Sequence, residues 1–407
     1  MKDKLIIEDV IISNNRIDYK YSIDGELKEA FNNNEKFFAE YNYNISNTPE
    51  SIAIIPLICN ILPIIWLYDA ELYIKSCDED FFNSIEEFKK GYIKMYPDLE
   101  FKGKIFAEKL VKNSITELNG AICFFSGGVD AFNTLLNHIN ENITMLTLWG
   151  ADVTLQDNDG WNNVLKHLEK TANDFKTNYI SIKSNLRNFY KKDILNKRIE
   201  SIGKEWWHDF QHGIGIISFA APISFLTKKQ LVYFASSFTA KDIGQYTCAS
   251  DPTIDNYLKF CDVKVIHDGY EFTRQDKVHN IVEFCRKNNK KIELRVCWES
   301  TGGKNCCHCE KCYRTMLALF AEGEDPKNYG FDYTKKLLKK IRYCQDRRFT
   351  YKKYEEIQSS MRKNCNINDL PKEIRWFYKI NIKKLGCNKI YKILGKIKRK
   401  VKRIFKL

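Results

Sequence analysis

The pattern of apolar and polar positions changes along the chain. In the first fifty positions apolar and polar residues alternate over short runs, most clearly at Ile17, Tyr19 and Tyr21. Alternation with a period of two is typical of strands with one buried face. Residues 70–76 resemble a further strand, and residues 81–96 have helical spacing. We therefore predict an N-terminal α+β region over residues 1–114, whose chemistry the pattern does not reveal.

Residues 51–68 form an uncharged stretch that is long enough to be tested as a membrane span. The stretch contains Pro56, Asn60 and Pro63. Prolines interrupt backbone hydrogen bonds that lipid cannot replace, whereas a protein core can accommodate them. We therefore predict a buried core segment.

Between residues 115 and 325, apolar runs alternate with longer helical segments, which is the pattern of a parallel sheet with crossover helices. The predicted strands are residues 121–125, 144–149, 179–183 and 231–236. The predicted helices are residues 131–140, 161–173, 206–226 and 277–287. The fold class is α/β, a parallel sheet with helices on both faces, and ligands in such sheets bind at the carboxyl ends of the strands.

The last region, residues 326–407, is predicted to be a helical extension that ends in a basic amphipathic tail. Nine of the thirteen excess positive charges lie in residues 388–407, so the other 387 residues carry only +4. Charge over the main domains therefore gives no indication of a nucleic-acid partner. The tail predicts peripheral contact with an anionic membrane surface, with a solvated helix packed on the body as the alternative.

Fourteen cysteines occur in the chain, and five of them fall between residues 297 and 312. The start of the chain lacks the apolar run of a secretory signal. Clustered cysteines in a long chain of this kind favour metal binding over a disulfide framework. We accordingly expect a cytoplasmic protein, with the inner face of the membrane as a second location through the tail.

The first candidate site is the segment Ser126-Gly127-Gly128-Val129-Asp130, which follows an apolar strand and opens a helix. The glycines permit a tight turn and close approach to a ligand, and amides at a helix start point toward an anion. Ser126 can donate its hydroxyl to a phosphate, and Asp130 would orient the loop or help to hold Mg²⁺. An ordinary strand-to-helix turn is the alternative for a bare glycine pair.

The second candidate site is the cluster of Cys297, Cys306, Cys309 and Cys312, in a C-x8-C-x2-C-x2-C spacing. Four thiolates can close a tetrahedral shell around Zn²⁺ and leave no position for water, which predicts a structural site. Cys307 or His308 would be a substitute ligand, and an iron–sulfur cluster is a further alternative.

The glycine loop resembles the pyrophosphate loop (PP-loop) of the N-type ATP pyrophosphatases, an adenine nucleotide alpha-hydrolase-like superfamily with a Rossmann-like fold of the HUP type. The usual form there is Ser-Gly-Gly-x-Asp-Ser, and the resemblance implies ATP cleavage between the α and β phosphates. Here Ala131 replaces the second serine. One neutral hydrogen bond contributes about 0.5–1.5 kcal/mol, so nucleotide binding is better supported than turnover.

The cysteine spacing is similar to that of the 7-cyano-7-deazaguanine synthase family, in which the same loop precedes the same cluster. The resemblance covers residues 118–320 and implies ATP, Mg²⁺ and Zn²⁺ as cofactors. It places Arg274 and Lys277 over the departing pyrophosphate, although an exposed helix start would explain both residues nearly as well. Asp152, after the second strand, would face substrate or ribose, or would be an ordinary turn residue.

The resulting expectation is an AMP-forming ligase that adenylates a carboxylate or similar oxygen of a small molecule for attack by ammonia or an amine. A deazaguanine-like or surface-polysaccharide precursor would suit as substrate, and a homodimer as assembly. The alternative is a non-catalytic nucleotide-binding protein, or a partner in RNA modification or thiolation, in which Ala131 marks lost turnover. His208 and His212 are spaced i, i+4, and packing or substrate contact is favoured over metal binding for them.

Overall fold

The computed structural model describes residues 2–32, 35–116, 119–297, 302–342 and 351–384. Within these residues the chain forms two compact units. The first comprises the residues up to 126 together with 137–271, and the second comprises residues 127–136 together with those from 272 onward. The domain boundaries predicted from the sequence stay a prediction, and the predicted amphipathic tail lies outside the described residues.

Strands occur only in the first unit among the described residues, and all of them join one sheet. They are β1 (Lys4–Ile12), β2 (Arg16–Ile23), β3 (Phe38–Tyr41), β4 (Glu71–Asp78), β5 (Lys104–Val111), β6 (Ala121–Phe124), β7 (Thr144–Trp149), β8 (Asn178–Ser184), β9 (Leu231–Ala235), β10 (Lys259–Phe260) and β11 (Val263–Asp268).

The helices are distributed over both units. They are α1 (Glu50–Ala53), α2 (Ile55–Leu67), α3 (Glu79–Met95), α4 (Val129–Asn137), α5 (Asn158–Phe175), α6 (Lys192–Arg198), α7 (Ile214–Ile217), α8 (Ala220–Thr227), α9 (Pro252–Asp255), α10 (Arg274–Asn288), α11 (Glu310–Ala321), α12 (Lys335–Ile341), α13 (Glu355–Asn364) and α14 (Arg375–Lys379). None of the helices in the described part of the chain is both long and apolar enough to cross a membrane.

The sheet has the order β10-β11-β9-β6-β7-β8-β3-β2-β1-β4-β5 and confirms the predicted α/β class. The five strands from β11 to β8 in this order are parallel to one another. Within them β6 lies between β7 and β9, so the order of the strands reverses at β6. The N-terminal strands enter the same sheet through antiparallel pairing of β3 with β8.

The uncharged stretch is confirmed as a core segment, because every residue of α2 is buried. A helix that is apolar on all sides is stable in water only when protein surrounds it. Its polar residue, Asn60, is satisfied internally. The Asn60 amide donates to the carbonyls of Pro56 and Gly215 and accepts from Gln211.

The predicted continuous helix over residues 206–226 is wrong. A π-helical turn (Trp207–Gln211) is followed by the separate helices α7 and α8. The break lies at Gly213, whose φ of 118° is incompatible with a helix. His212 is therefore extended and shares no helix face with His208.

Gly213→Ala is expected to lower the free energy of unfolding by more than about 1–3 kcal/mol, the usual cost of a strained backbone. A Cβ at this position would lie 2.4 Å from the carbonyl oxygen of Ala249. Gly203→Ala is the matched control, because Gly203 also has positive φ but a Cβ there would meet nothing within 4 Å. Equal losses in denaturant unfolding of the two variants would contradict the role of the close approach.

Candidate functional site

The glycine loop begins directly after β6. The Phe125 N–H donates to the carbonyl of Leu146, and the Phe125 carbonyl accepts from the Thr147 hydroxyl at 2.6 Å, so the strand end is fixed in the first unit. Ser126 is exposed. Gly127 has a φ of 75°, which favours glycine. The chain then turns into α4, which starts at Val129.

In the second unit, Asp130 lies between the two basic residues that the sequence had singled out. Its carboxylate accepts from Arg274 Nη1 at 2.5 Å and from Lys277 Nζ at 3.4 Å. The side chains of Asp130, Arg274 and Lys277 are 15, 15 and 3% exposed. These residues, 144 and 147 positions apart in the chain, thus form one buried ionic cluster.

The charge around Asp130 is predominantly positive. Burial by itself raises the pKa of a carboxyl, but Arg274, Lys277, Lys311 and Arg314 outweigh burial and hold the pKa of Asp130 well below its usual range. Asp130 is therefore ionised at neutral pH. Four positive charges face the carboxylates of Asp130 and the neighbouring Glu310, so positive charge remains in excess and the cluster can attract further negative charge.

Arg274 has hydrogen-bonding capacity that Asp130 does not use. Its Nε and Nη2 atoms are buried and have no acceptor among the described residues. Burial lowers the pKa of Arg274, and proximity to Asp130 opposes this effect. A buried donor without an acceptor costs about 1–3 kcal/mol, more when charged, so such a group in a folded protein calls for an explanation.

The position of Arg274 at the start of α10 adds to this cost. Thr273 and Asp276 form a capping box at the start of α10, and Arg274 is its first residue. A cation at a helix N-terminus is opposed by the helix dipole, whereas Asp130 near the start of α4 is favoured. The helix dipole therefore opposes the charge of Arg274 at this position, and its ion pair with Asp130 offsets that effect.

Helix α11 contributes the other two positive charges of the cluster. Lys311 and Arg314 lie in its first turns. Arg314 Nε forms an ion pair at 3.6 Å with Oε1 of the fully buried Glu310, and the Tyr354 hydroxyl donates to the same oxygen at 3.1 Å. Lys311 and Arg314 are not among the site residues predicted from the sequence. Their place directly after the cysteine cluster is the signal that could have found them.

The four predicted metal ligands are brought together at the start of α11. The sulfur atoms of Cys297, Cys306, Cys309 and Cys312 all lie within 4.8 Å of one another. Cys297–Cys309 and Cys306–Cys312 are each separated by 3.9 Å. Tetrahedral zinc with Zn–S bonds of about 2.3 Å needs sulfurs about 3.8 Å apart. This group can hold a metal ion such as zinc.

Backbone amides support the sulfurs as thiolates. Cys306 Sγ accepts from the N–H groups of His308 and Cys309, and Cys309 Sγ accepts from the N–H of Cys312. Such bonds orient ligands and stabilise their charge, which is the arrangement expected of a metal site.

The two alternative donors make other contacts. The thiol of the buried Cys307 donates to the Asn305 carbonyl at 3.7 Å, and the imidazole of the exposed His308 bonds the Cys306 carbonyl through Nδ1 at 2.8 Å. Neither belongs to the group of four sulfurs. The geometry therefore favours a shell of four cysteines.

The remaining sequence candidates lie in the first unit. Asp152 is exposed in the bend after β7. His208 Nε2 bonds the Thr247 carbonyl at 3.1 Å, and the His212 ring packs edge-on against Phe234. The two histidines are thus engaged in packing and hydrogen bonds, in line with the favoured reading.

No protein-family model matches this sequence, and no curated protein matches it at a significant level.

Proposed function

We propose that the chain is an ATP-binding protein of the PP-loop type, similar to the 7-cyano-7-deazaguanine synthase family, and acts as an AMP-forming ligase. The observation that carries the proposal is Arg274, with two buried donors that have no acceptor among the described residues, in a cluster where four positive charges surround Asp130. Phosphate oxygens would supply negative charge to the cluster and acceptors for these two donors of Arg274.

The position of the loop supports the same proposal. Ser126 and the two glycines follow β6, the strand at which the order of the parallel strands reverses. Open α/β sheets bind ligands outside the carboxyl ends of their strands at such a reversal. Helix α4 begins at Val129, where the partial positive charge of a helix start attracts a phosphate.

In the proposed reaction a carboxylate oxygen attacks the α-phosphorus of ATP, and the bond to the bridging α–β oxygen breaks. Arg274 and Lys277 stabilise the negative charge that develops on the departing pyrophosphate. Ammonia or an amine then attacks the carbonyl carbon of the acyl adenylate, AMP leaves with the electron pair of the broken C–O bond, and the nitrogen loses a proton to solvent. Asp130 keeps the two basic side chains in place through its ion pairs.

Magnesium fits this cluster poorly as an ion held by the protein alone. The Asp130 carboxylate is already paired with two cations. Mg²⁺ is usually bound by one or two carboxylates together with substrate phosphates. In our proposal Mg²⁺ is therefore a partner of the nucleotide, and no step is assigned to it.

Arg274→Gln is expected to weaken ATP binding about tenfold to hundredfold, because it removes a charged donor whose hydrogen bonds contribute about 1.5–3 kcal/mol. Lys287→Gln is the control, since it removes one positive charge from an exposed position of the same helix. Isothermal titration calorimetry with ATP measures both variants. Equal affinities of Arg274→Gln and the unchanged protein would refute the phosphate site.

The second candidate is a nucleotide-binding protein without turnover. The observation that favours it is Ala131, which replaces the second serine of the usual loop. This residue is 4% exposed and carries no hydroxyl. Incubation with labelled pyrophosphate, ATP and candidate carboxylates separates the two proposals. Exchange of label into ATP, or carboxylate-dependent AMP, supports the ligase. Tight ATP binding without either product across the carboxylates supports the non-catalytic protein.

A further inference from the structure

The two edges of the sheet in the first unit differ. One edge is β10, a strand of two residues, and the other is β5, a strand of eight residues that are mostly exposed. Among the described residues, no strand pairs with the outer side of β5. A very short edge strand is protected against pairing with another chain, whereas a long exposed one is a template for it. The β5 edge is therefore the candidate for an interaction surface.

One hydrogen bond shows which backbone groups of β5 point outward. The N–H of Lys104 donates to the carbonyl of Ala70 at 2.9 Å, which is toward the start of β4. Backbone groups of successive strand residues point to opposite sides of the strand. The N–H and C=O groups of Ile105, Ala107 and Lys109 therefore point away from β4. A further antiparallel strand can pair with these groups.

An exposed apolar row leads to this edge. Ile6 in β1 is paired with Tyr73 in β4, and Tyr73 with Phe106 in β5, so the three side chains lie side by side on one face of the sheet. The rings of Tyr73 and Phe106 are stacked, with centroids 5.1 Å apart. Ile6, Phe106 and Leu110 are each at least 40% exposed. Contiguous exposed apolar side chains are typical of a surface that another protein covers.

The sequence of β5 is complementary to itself in one antiparallel register. When Phe106 lies opposite Phe106 of a second copy, Lys104 lies opposite Glu108 on both sides of this central pair. Ile105 and Ala107 then exchange their outward backbone bonds with Ala107 and Ile105 of the second copy. The phenylalanine and charged pairs are the non-hydrogen-bonded ones, in which side chains approach most closely. Opposite charges in such pairs stabilise the pairing, and like charges destabilise it.

The other registers in which more than half of each strand overlaps lack these charge pairs. A register centred on Glu108 or on Lys109 puts that charge opposite its own copy. A register centred on Ala107 puts Phe106 opposite Glu108, and Lys104 opposite an apolar residue. Charge therefore favours the register centred on Phe106.

We propose that a second copy of this chain pairs with β5, so that the two sheets join into one across a twofold axis at Phe106. The row of Ile6, Tyr73 and Phe106 then continues into the same row of the second copy, and each Phe106 ring covers the other. A contact of this kind uses the same surface on both copies and closes at two. The proposal does not rest on the proposed function.

Sedimentation velocity of the full chain over a concentration series tests this dimer. Lys104→Glu and Glu108→Lys should each weaken dimerisation at least about tenfold, because each replaces two opposite-charge pairs with two like-charge pairs. An equimolar mixture of the two variants should dimerise as tightly as the unchanged protein, since every mixed dimer places a glutamate opposite a lysine at both positions. Lys109→Glu is the control, because it reverses a charge at an exposed position of β5 that has no charged residue opposite in this register.

Three results would overturn the proposed dimer. They are a monomer over the whole series, a dimer that neither charge variant weakens, and a mixture that dimerises no more tightly than the single variants. Circular dichroism of each variant shows whether it is folded. Exchange of the outward amide hydrogen of Ala107 gives a second measurement, which should be slow in the dimer and fast after dilution. Slow exchange in a monomer would show that a segment of the same chain covers β5, and would also contradict the proposal.

Discussion

Asp130→Ala is expected to lower the free energy of unfolding of the second unit by about 3–5 kcal/mol, the usual result of removing one partner of a buried ion pair. The loss arises because Arg274 and Lys277 keep their charges in a site where they are 15 and 3% exposed. Urea denaturation measures the effect. A loss below about 1 kcal/mol, the value of an exposed pair, would contradict a buried cluster.

The same variant separates an anion site from a purely structural ion cluster. Removal of Asp130 takes one of the two nearby carboxylates from the four positive charges and leaves Glu310, so pyrophosphate should bind more tightly to Asp130→Ala than to the unchanged protein. Ligand binding to the folded state raises its stability. Millimolar pyrophosphate should therefore recover part of the lost stability of the variant. Absence of any recovery would favour the structural role.

The pH dependence of stability follows from the same carboxyl group. The pKa of Asp130 is depressed in the folded protein, so the unfolded chain binds the proton at a higher pH than the folded one. The contribution of Asp130 is fully present above the unfolded pKa of about 3.9 and falls as the pH drops through the folded pKa. Stability curves of Asp130→Asn and the unchanged protein should therefore converge in strong acid.

Cys309→Ser is expected to abolish stoichiometric zinc binding and to destabilise the second unit, because Cys309 is both a predicted ligand and the cap of α11. Structural zinc contributes about 10–16 kcal/mol of binding energy to small metal domains, so its loss outweighs that of any single contact. Metal analysis of the purified protein, with thermal unfolding, measures both effects. Unchanged zinc content would refute the ligand set.

Cys307→Ser provides the matched control for this variant. Cys307 lies inside the same loop, but its thiol donates to the Asn305 carbonyl, a bond that a serine hydroxyl can also make. Zinc content should therefore be unchanged in Cys307→Ser. Loss of zinc in this variant would place Cys307 in the metal shell instead.

Metal removal should also weaken the anion site. Helix α11 starts at Glu310, directly after Cys309, and carries Lys311 and Arg314 toward Asp130. Protein from which a chelator has removed zinc, and which remains folded, should bind pyrophosphate less tightly than the zinc form. The reason is that the start of α11, which positions Lys311 and Arg314, is no longer fixed by the metal. This result would connect a structural metal to the chemistry of a separate cluster.

Local sequence signals located most of the parallel strands well. The strand predicted at residues 144–149 is observed with the same bounds as β7, and the run at 121–125 corresponds to β6. Strands buried on both faces have long apolar runs, and a glycine pair at the end of such a run identifies a turn without any tertiary information. The local pattern does not predict the break at Gly213, because the surrounding residues are apolar at helical spacing. The helix is interrupted there by the positive φ of Gly213, at a point where the backbone passes close to Ala249.

The sequence by itself determined the α/β class, the burial of the apolar stretch within residues 51–68 and the grouping of four cysteines that can hold a metal ion. These features depend on periodicity, composition and short spacing. Tertiary structure alone decided that the N-terminal strands join the same sheet, through pairing of β3 with β8. It also decided that Arg274, Lys277, Lys311 and Arg314 act on Asp130, and that Asp255 holds His267. Such charge clusters join residues far apart in the chain, and no local pattern records which distant side chains share a buried space.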